Sequence, residues 1–235
     1  MIHRPVRLPS LFAMIIITGC AQTSVLVRTG PLPRPLGQVR VVLMPPDVQL
    51  SELTATGALE PKVDWTEQAI AHVRSALREE ILKKNAHLVP HRAPIDDPSE
   101  QHVENQILKL HEAVGREIIA QKLTPYRELP TKQGKFDWTL GEGAKRLGER
   151  HDAQYALFVV FRESYATPGR VAVMIAAALV RVHIPGGTQL GFASLVDLRS
   201  GDVVWFNRLV NPVGDLRTLE PARSAVNSLL VDLPL

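Results

Sequence analysis

Apolar positions along the chain follow two regimes. From Val39 to about Arg150 they recur at three- and four-residue intervals within polar surroundings, whereas from Ala153 to Phe206 they cluster in short blocks. Val39-Arg40-Val41-Val42-Leu43-Met44 is rich in β-branched residues and is followed by Pro45-Pro46, which cannot donate to a ladder. A first strand is therefore predicted to stop there, with a loop leading to the first helix. Asp64, with Glu67 three residues on, predicts the start of that helix, and Trp65, Ala69, Val73, Leu77 and Ile81 form one apolar stripe through about Lys84. Ala86–Val89 before Pro90 predicts a short second strand. Ser99 is the expected cap of a second helix, with Val103, Ile107, Leu110, Val114 and Ile118 inward and Glu104, Lys109, Glu112 and Arg116 on other faces. A polar loop from Thr124 to Gly134 then leads to a third helix near Leu140 to Arg150.

In the carboxyl half, Ala153–Phe161, Leu190–Leu198 and Val203–Phe206 read as strands. The last two are joined by Arg199-Ser200-Gly201-Asp202, where Gly201 takes positive φ cheaply. A final helix is predicted from near Glu220-Pro221 through Leu230. Val171 to Val180 is apolar throughout and bounded by Arg170 and Arg181. Its alanines favour a helix and its valines a strand. The plainer expectation is a core element; the sharper one is a membrane-directed strand, with Val171, Val173, Ile175 and Leu179 as positions for partner or membrane contact. The class that emerges is α+β: a mixed, largely antiparallel sheet with amphipathic helices packed on it.

The amino end changes the picture. His3, Arg4 and Arg7 precede the apolar stretch Leu11–Ile17, and small residues follow before a cysteine, which is the order of a bacterial export signal. Ile17-Thr18-Gly19-Cys20 resembles the lipobox of envelope lipoproteins. That resemblance implies cleavage before Cys20 and lipidation of its thiol. The expected organisation is a signal peptide over residues 1–19, a lipidated cysteine with a flexible, Pro-rich linker over 20–38, and a single domain over 39–235. Extended, that linker would reach roughly 50 Å. Ala21, standing where an Asp would be expected to retain the protein, resembles lipoproteins forwarded to the outer membrane.

Composition mostly excludes. The 235 residues are 45% hydrophobic and 22% charged, enough apolar side chain for a folded core. The 27 basic and 24 acidic residues give a net charge of +3, and two of the basic ones, Arg4 and Arg7, lie in the signal. That balance does not suggest a nucleic-acid partner. A single cysteine excludes an internal disulfide framework and a four-thiolate zinc site in the monomer.

The order of elements resembles the envelope lipoprotein fold of curli-secretion channel (CsgG-type) proteins, penicillin-binding-protein activator lipoproteins and the TolB amino-terminal domain. Three places carry it: Val39 to Pro45 as opening strand, Leu140–Gly148 running into Ala153–Phe161, and Ser194–Trp205. The last is similar to the Leu-x-Asp-x-x-Thr-Gly-x-x-x-Trp hairpin of such lipoproteins, with Ser200 in place of Thr. The resemblance implies a periplasm-facing, tethered binding or assembly domain. A curli-type channel needs two amphipathic hairpins per subunit, and this chain offers at most one apolar segment.

Motifs for catalysis do not assemble. His87 and His91 are separated by a strand and Pro90, so they do not share a helix face as metal-binding histidines would. His72, His102, His111 and His151 read as solvated positions on helix surfaces or ends. Gly141-Glu142-Gly143 precedes a strand instead of following one, and Ser194 lacks the glycine frame of a nucleophile elbow. Glu60, Asp64, Glu67, Asp96, Asp97 and Glu100 read as caps and solvated charges, and Trp65, Trp138 and Trp205 as buried anchors. No catalytic residue, cofactor or metal is expected. The expected function is that of a lipid-anchored, non-enzymatic binding or assembly module in the periplasm, held to membrane lipid through Cys20 and acting on an envelope partner. A homo-oligomer, an outer-membrane secretion-channel subunit and a periplasmic hydrolase stay open as alternatives.

Overall fold

The computed structural model describes residues 21–28, 38–84, 86–124 and 129–235. The expected signal peptide over residues 1–19, Cys20, the proline-rich part of the expected linker (29–37), residue 85 and residues 125–128 of the Thr124–Gly134 loop lie outside them. In chain order the strands are β1 (Gln22–Val27), β2 (Arg40–Leu43), β3 (Asp47–Leu53), β4 (Leu59–Pro61), β5 (His87–Val89), β6 (Tyr155–Ala166), β7 (Gln189–Asp197) and β8 (Val203–Asn211). The helices are α1 (Val63–Lys83), α2 (Pro98–Lys122), α3 (Gly143–His151), α4 (Pro168–Leu179) and α5 (Leu219–Leu229). All eight strands join one mixed sheet, as the α+β reading requires. β1, β8, β7 and β6 follow one another antiparallel, and β2 and β5 continue the order in parallel.

β6 centres the sheet because its residues are apolar on both faces. Leu157, Val159 and Phe161 point into one core with Ala69, Val73, Leu77 and Ile81 of α1 and Ala222, Val226 and Leu229 of α5. Phe158 and Val160 point into the other with Ile107 and Ile118 of α2 and Ala144 and Leu147 of α3. The period-two alternation thus feeds two separate helix layers. Trp205 is fully buried and Trp138 nearly so, while Trp65 is half-buried.

Pro45-Pro46 interrupts the first strand without ending its path. β2 pairs with β6 as far as Leu43↔Leu157, and β3 resumes on the same edge at Asp47↔Val160. Three residues on one side oppose two on the other, a bulge where the prolines' missing N–H groups cost no ladder bond. The loop expected before α1 is therefore the strands β3 and β4. Their pattern was hidden because Asp47, Gln49 and Glu52 make β3 look like a polar connection.

Helix α2 differs from expectation in its cap and its face. Asp97, not Ser99, caps it, its carboxylate accepting from the N–H groups of Ser99 at 2.9 Å and Glu100 at 3.1 Å. The buried line is Glu104, Ile107, His111, Gly115 and Ile118, and Leu110 faces solvent. Gly115 sets this rotation. A Cβ there would lie 2.2 Å from the Phe192 ring, so the helix sits close to β7 only along its glycine line. α1 likewise begins at Val63 after Lys62, with Asp64 in its first turn.

The linker reading needs correction at its start. Gln22–Val27 is an edge strand in register with β8 from Gln22↔Val210 to Val27↔Trp205. Thr23, Val25 and Val27 favour extended backbone, and the helix- and strand-breaking residues begin only at Gly30. Asn207, fully buried on β8, fastens this edge. Its Oδ1 accepts from Ser24 N–H at 3.1 Å and its Nδ2 donates to Leu229 C=O at 2.8 Å, at the end of α5. N207A leaves both groups without their partner and is expected to cost about 2–4 kcal/mol in urea unfolding. Amide exchange at Ser24 to Val27 should accelerate more than elsewhere in the sheet; uniform exchange across all strands would contradict this role.

Candidate membrane-facing surface

Val171 to Val180 is helical through Leu179, and it is not core. Thr167 starts α4: its Oγ1 accepts from Arg170 N–H at 3.2 Å, and Pro168 fills the first turn. The helix ends with Arg181 at φ 62°, where Arg181 N–H bonds Ala178 C=O and Val182 N–H bonds Ala177 C=O. No residue of α4 is buried. The four positions expected to contact a partner or membrane, Val171, Val173, Ile175 and Leu179, are all exposed, Ile175 at 61% and Leu179 at 82%. Val180 and Val182 extend the patch, at 71% and 51%. The expectations of a core element and of a membrane-directed strand are both corrected. With no side chain of α4 buried and only Met174 and Ala177 half-buried among its apolar residues, local propensity and the two end motifs decide the state, and both favour helix.

The return loop holds α4 to the sheet. The Arg170 guanidinium donates from Nε and Nη2 to Pro185 C=O at 3.2 and 2.9 Å. Gly187 runs against the end of β6, where a Cβ would meet Ser164 C=O at 2.0 Å. Arg170, Arg181 and His183 flank the apolar surface. At 1.5 Å per residue, α4 is about 18 Å long. No helix among the described residues is long and apolar enough to cross a membrane.

Sheet register relates this surface to the amino end. α4 leaves from the end of β6, and Arg162 near that end opposes Leu190, which opposes Val210, which opposes Gln22. The chain preceding Gln22 thus enters the sheet at the end that carries α4. Three strand spacings, about 14 Å, separate Gln22 from Arg162, and β6 runs on to Ala166 before α4 begins at Pro168. Leu190 and Val213 are exposed at that same end. Cys20, two residues before Gln22, lies outside the described residues.

Chemistry elsewhere is mostly internal. Beside the root of α4, a cleft of about 520 Å³ is lined by Trp65, Glu163, Tyr165 and Arg217. Three of these side chains pack together: Trp65 and Tyr165 meet edge to face at 5.4 Å, and the Arg217 guanidinium lies 3.8 Å from the Tyr165 ring centre while paired with Asp215 at 2.8 Å. Glu163, by contrast, accepts from Leu216 N–H at 3.0 Å through one oxygen, and its other oxygen is unmet. Of the acidic residues read as caps or solvated charges, Asp97 is a cap, whereas Glu100 pairs with Arg146 and Arg150.

Two histidines read as solvated are buried. His111 Nε2 is 2.9 Å from Ser194 Oγ, and its ring stacks on Phe158 at 4.7 Å. Burial pushes its pKa down to about 3. A serine and a histidine at this distance have the spacing of a nucleophile–base pair, but here both are buried, Ser194 to 1% and His111 to 2% exposure, and the bond joins α2 to β7. His151 ends α3 in full burial; desolvation, then the charge of nearby His91, pushes it down to about 4. With His91 and Glu104 it forms a second cluster, brought together from three elements. The spacing 104-107-111-115-118 was the one signal in the sequence for the buried polar line of α2.

No protein-family profile matches the chain, and no curated protein matches it in sequence. A solved structure of a PelC dodecamer from Paraburkholderia phytofirmans is similar at 14% identity, over 90% of this chain and 95% of that one, with a TM-score of 0.39. A single-substitution variant of that dodecamer, in another crystal form, gives 14% identity, the same coverage and a TM-score of 0.36.

Proposed function

We propose that the protein is a lipid-anchored module of the bacterial cell envelope that works by binding: it holds a partner protein at a membrane, facing the periplasm, with α4 laid into the lipid headgroup region beside the anchor. The observation that carries this reading is that α4 and the first residue of β1, Gln22, stand at the same end of the sheet. In the sequence Cys20 precedes Gln22 by two residues, and α4 and the turn after it offer Ile175, Leu179, Val180 and Val182 to the surroundings. A helix apolar nearly all round belongs in a core or in lipid, and α4 is in no core. Burying each of those side chains would contribute roughly 1.5 kcal/mol or more. The lipidated cysteine that a lipobox implies carries several acyl chains, each adding about 0.8 kcal/mol per buried methylene, and holds the domain at the surface by itself, so α4 would fix how the domain lies on the bilayer. Arg170 and Arg181 suit an anionic headgroup layer. Ala21 after the cysteine favours the outer membrane. A channel subunit would need extended hairpins where α4 is a helix, so the binding role is preferred.

Two measurements test this in cells expressing the full chain. Labelled palmitate should enter the parent and not C20S, and a photoactivatable lipid probe should label the peptide containing residues 171–179. I175E/L179E should keep the palmitate and lose the photolabel. Equal palmitate in C20S would overturn the anchor. Photolabel absent from α4 of the parent, together with a fall in assembly mass in I175E/L179E, would mean that a second copy of the chain covers this helix instead of lipid.

A further inference from the structure

His91 follows β5, Glu104 lies in the buried line of α2, and His151 closes α3. One ligand atom from each falls within 4.8 Å of the others. His91 Nε2 lies 2.9 Å from Glu104 Oε1, and the two imidazole rings are 5.2 Å apart. His151 is 1% exposed, and neither of its ring nitrogens has a hydrogen-bond partner. An unmet buried imidazole is costly and asks for a ligand at that point.

We propose that His91, Glu104 and His151 bind a divalent transition-metal ion of the zinc type. Two imidazole nitrogens and one carboxylate oxygen are the donor set that such an ion takes. Magnesium and calcium prefer oxygen donors throughout and fit poorly. Arg150 Nη1 donates to Glu104 Oε2 at 3.1 Å, which orients the carboxylate and leaves Oε1 turned toward the histidines. The donor atoms must close in from their present spacing, because zinc–nitrogen and zinc–oxygen bonds run about 2.0–2.2 Å. His91 is the way in. It lines a cleft of about 280 Å³ with Pro90, Arg74 and Arg78, so a fourth position can be filled by water or a small anion from that side. The bound ion would fasten the ends of β5 and α3 to α2, and this inference is independent of any lipid anchor.

The test uses the full chain in mild detergent, stripped with a chelator and titrated with cobalt(II), then zinc(II), with magnesium as the control. One equivalent of cobalt should develop the visible bands of a four-coordinate ion, zinc should displace it, and zinc but not magnesium should raise the Tm. H151A, H91A and E104Q should each weaken binding at least tenfold to a hundredfold, while H87A, whose histidine stands exposed on β5, should bind as the parent does. If H151A does not fold, H91A and E104Q carry the same comparison. A parent without cobalt bands and without a zinc-dependent Tm rise, or ligand variants that bind undiminished, would overturn the site.

Discussion

Lowering the pH from 7.5 to 5 is expected to remove about 2 kcal/mol of stability through His111 alone. In the fold this imidazole is enclosed by Phe158, Phe192 and Ser194, and burial holds its pKa near 3 against an ordinary value of 6.5. Above pH 6.5 the ring is neutral whether the chain is folded or not, and its contribution is fully present. Below pH 6.5 the unfolded chain binds a proton that the fold refuses, so stability falls with pH until about pH 3, by up to about 5 kcal/mol. That is comparable with the whole stability of a small domain. Urea midpoints of the parent and H111Q, measured between pH 7.5 and 5, isolate the effect. Glutamine can still reach Ser194 but does not titrate, so the difference between the two should shrink by about 2 kcal/mol toward pH 5. Parallel pH dependences would show that His111 takes up its proton in the native state.

G201A is expected to cost at least about 3 kcal/mol, enough to leave little folded protein at 37 °C. Gly201 sits at the β7–β8 turn with φ 78°, and a Cβ there would lie 2.3 Å from the Gly141 carbonyl oxygen. The contact is backbone against backbone, because Leu140 N–H and Thr139 Oγ1 both donate to Gly201 C=O, at 2.8 and 3.0 Å. Neither strand can retreat without losing those bonds. Gly134 provides the comparison: its φ is 76°, but nothing lies within 4 Å of its Cβ position. G134A should therefore cost only the left-handed strain, roughly 1 kcal/mol. Thermal unfolding of the two variants should separate by several degrees; coincident midpoints would mean that the turn can shift away from Gly141.

Legibility in the sequence followed the range of the forces involved. α1, β6, the β7–β8 hairpin and α5 are set by local periodicity and turn chemistry, and Ala69, Val73, Leu77 and Ile81 are buried as their spacing predicts. α2 is rotated because its packing depends on Gly115 meeting Phe192 and on His111 meeting Ser194, partners 77 and 83 residues away that periodicity cannot register. Glu104 looked like a solvent-side charge for the same reason: its partners, His91 and Arg150, lie on other elements. In α4 the composition identified an apolar segment, and the four positions expected to make contacts are exposed. Apolarity, however, does not say which medium a side chain avoids water in, so core and membrane read alike from residues 171–180.

The beginning of β1 at Gln22 also has a mechanical consequence. A long slack tether would let the domain tumble under any pull from the amino end. Here a load applied just ahead of the strand, against a partner gripping the opposite end of the sheet, runs along the axis of β1. Its six paired residues would then resist together in shear rather than peel apart one by one.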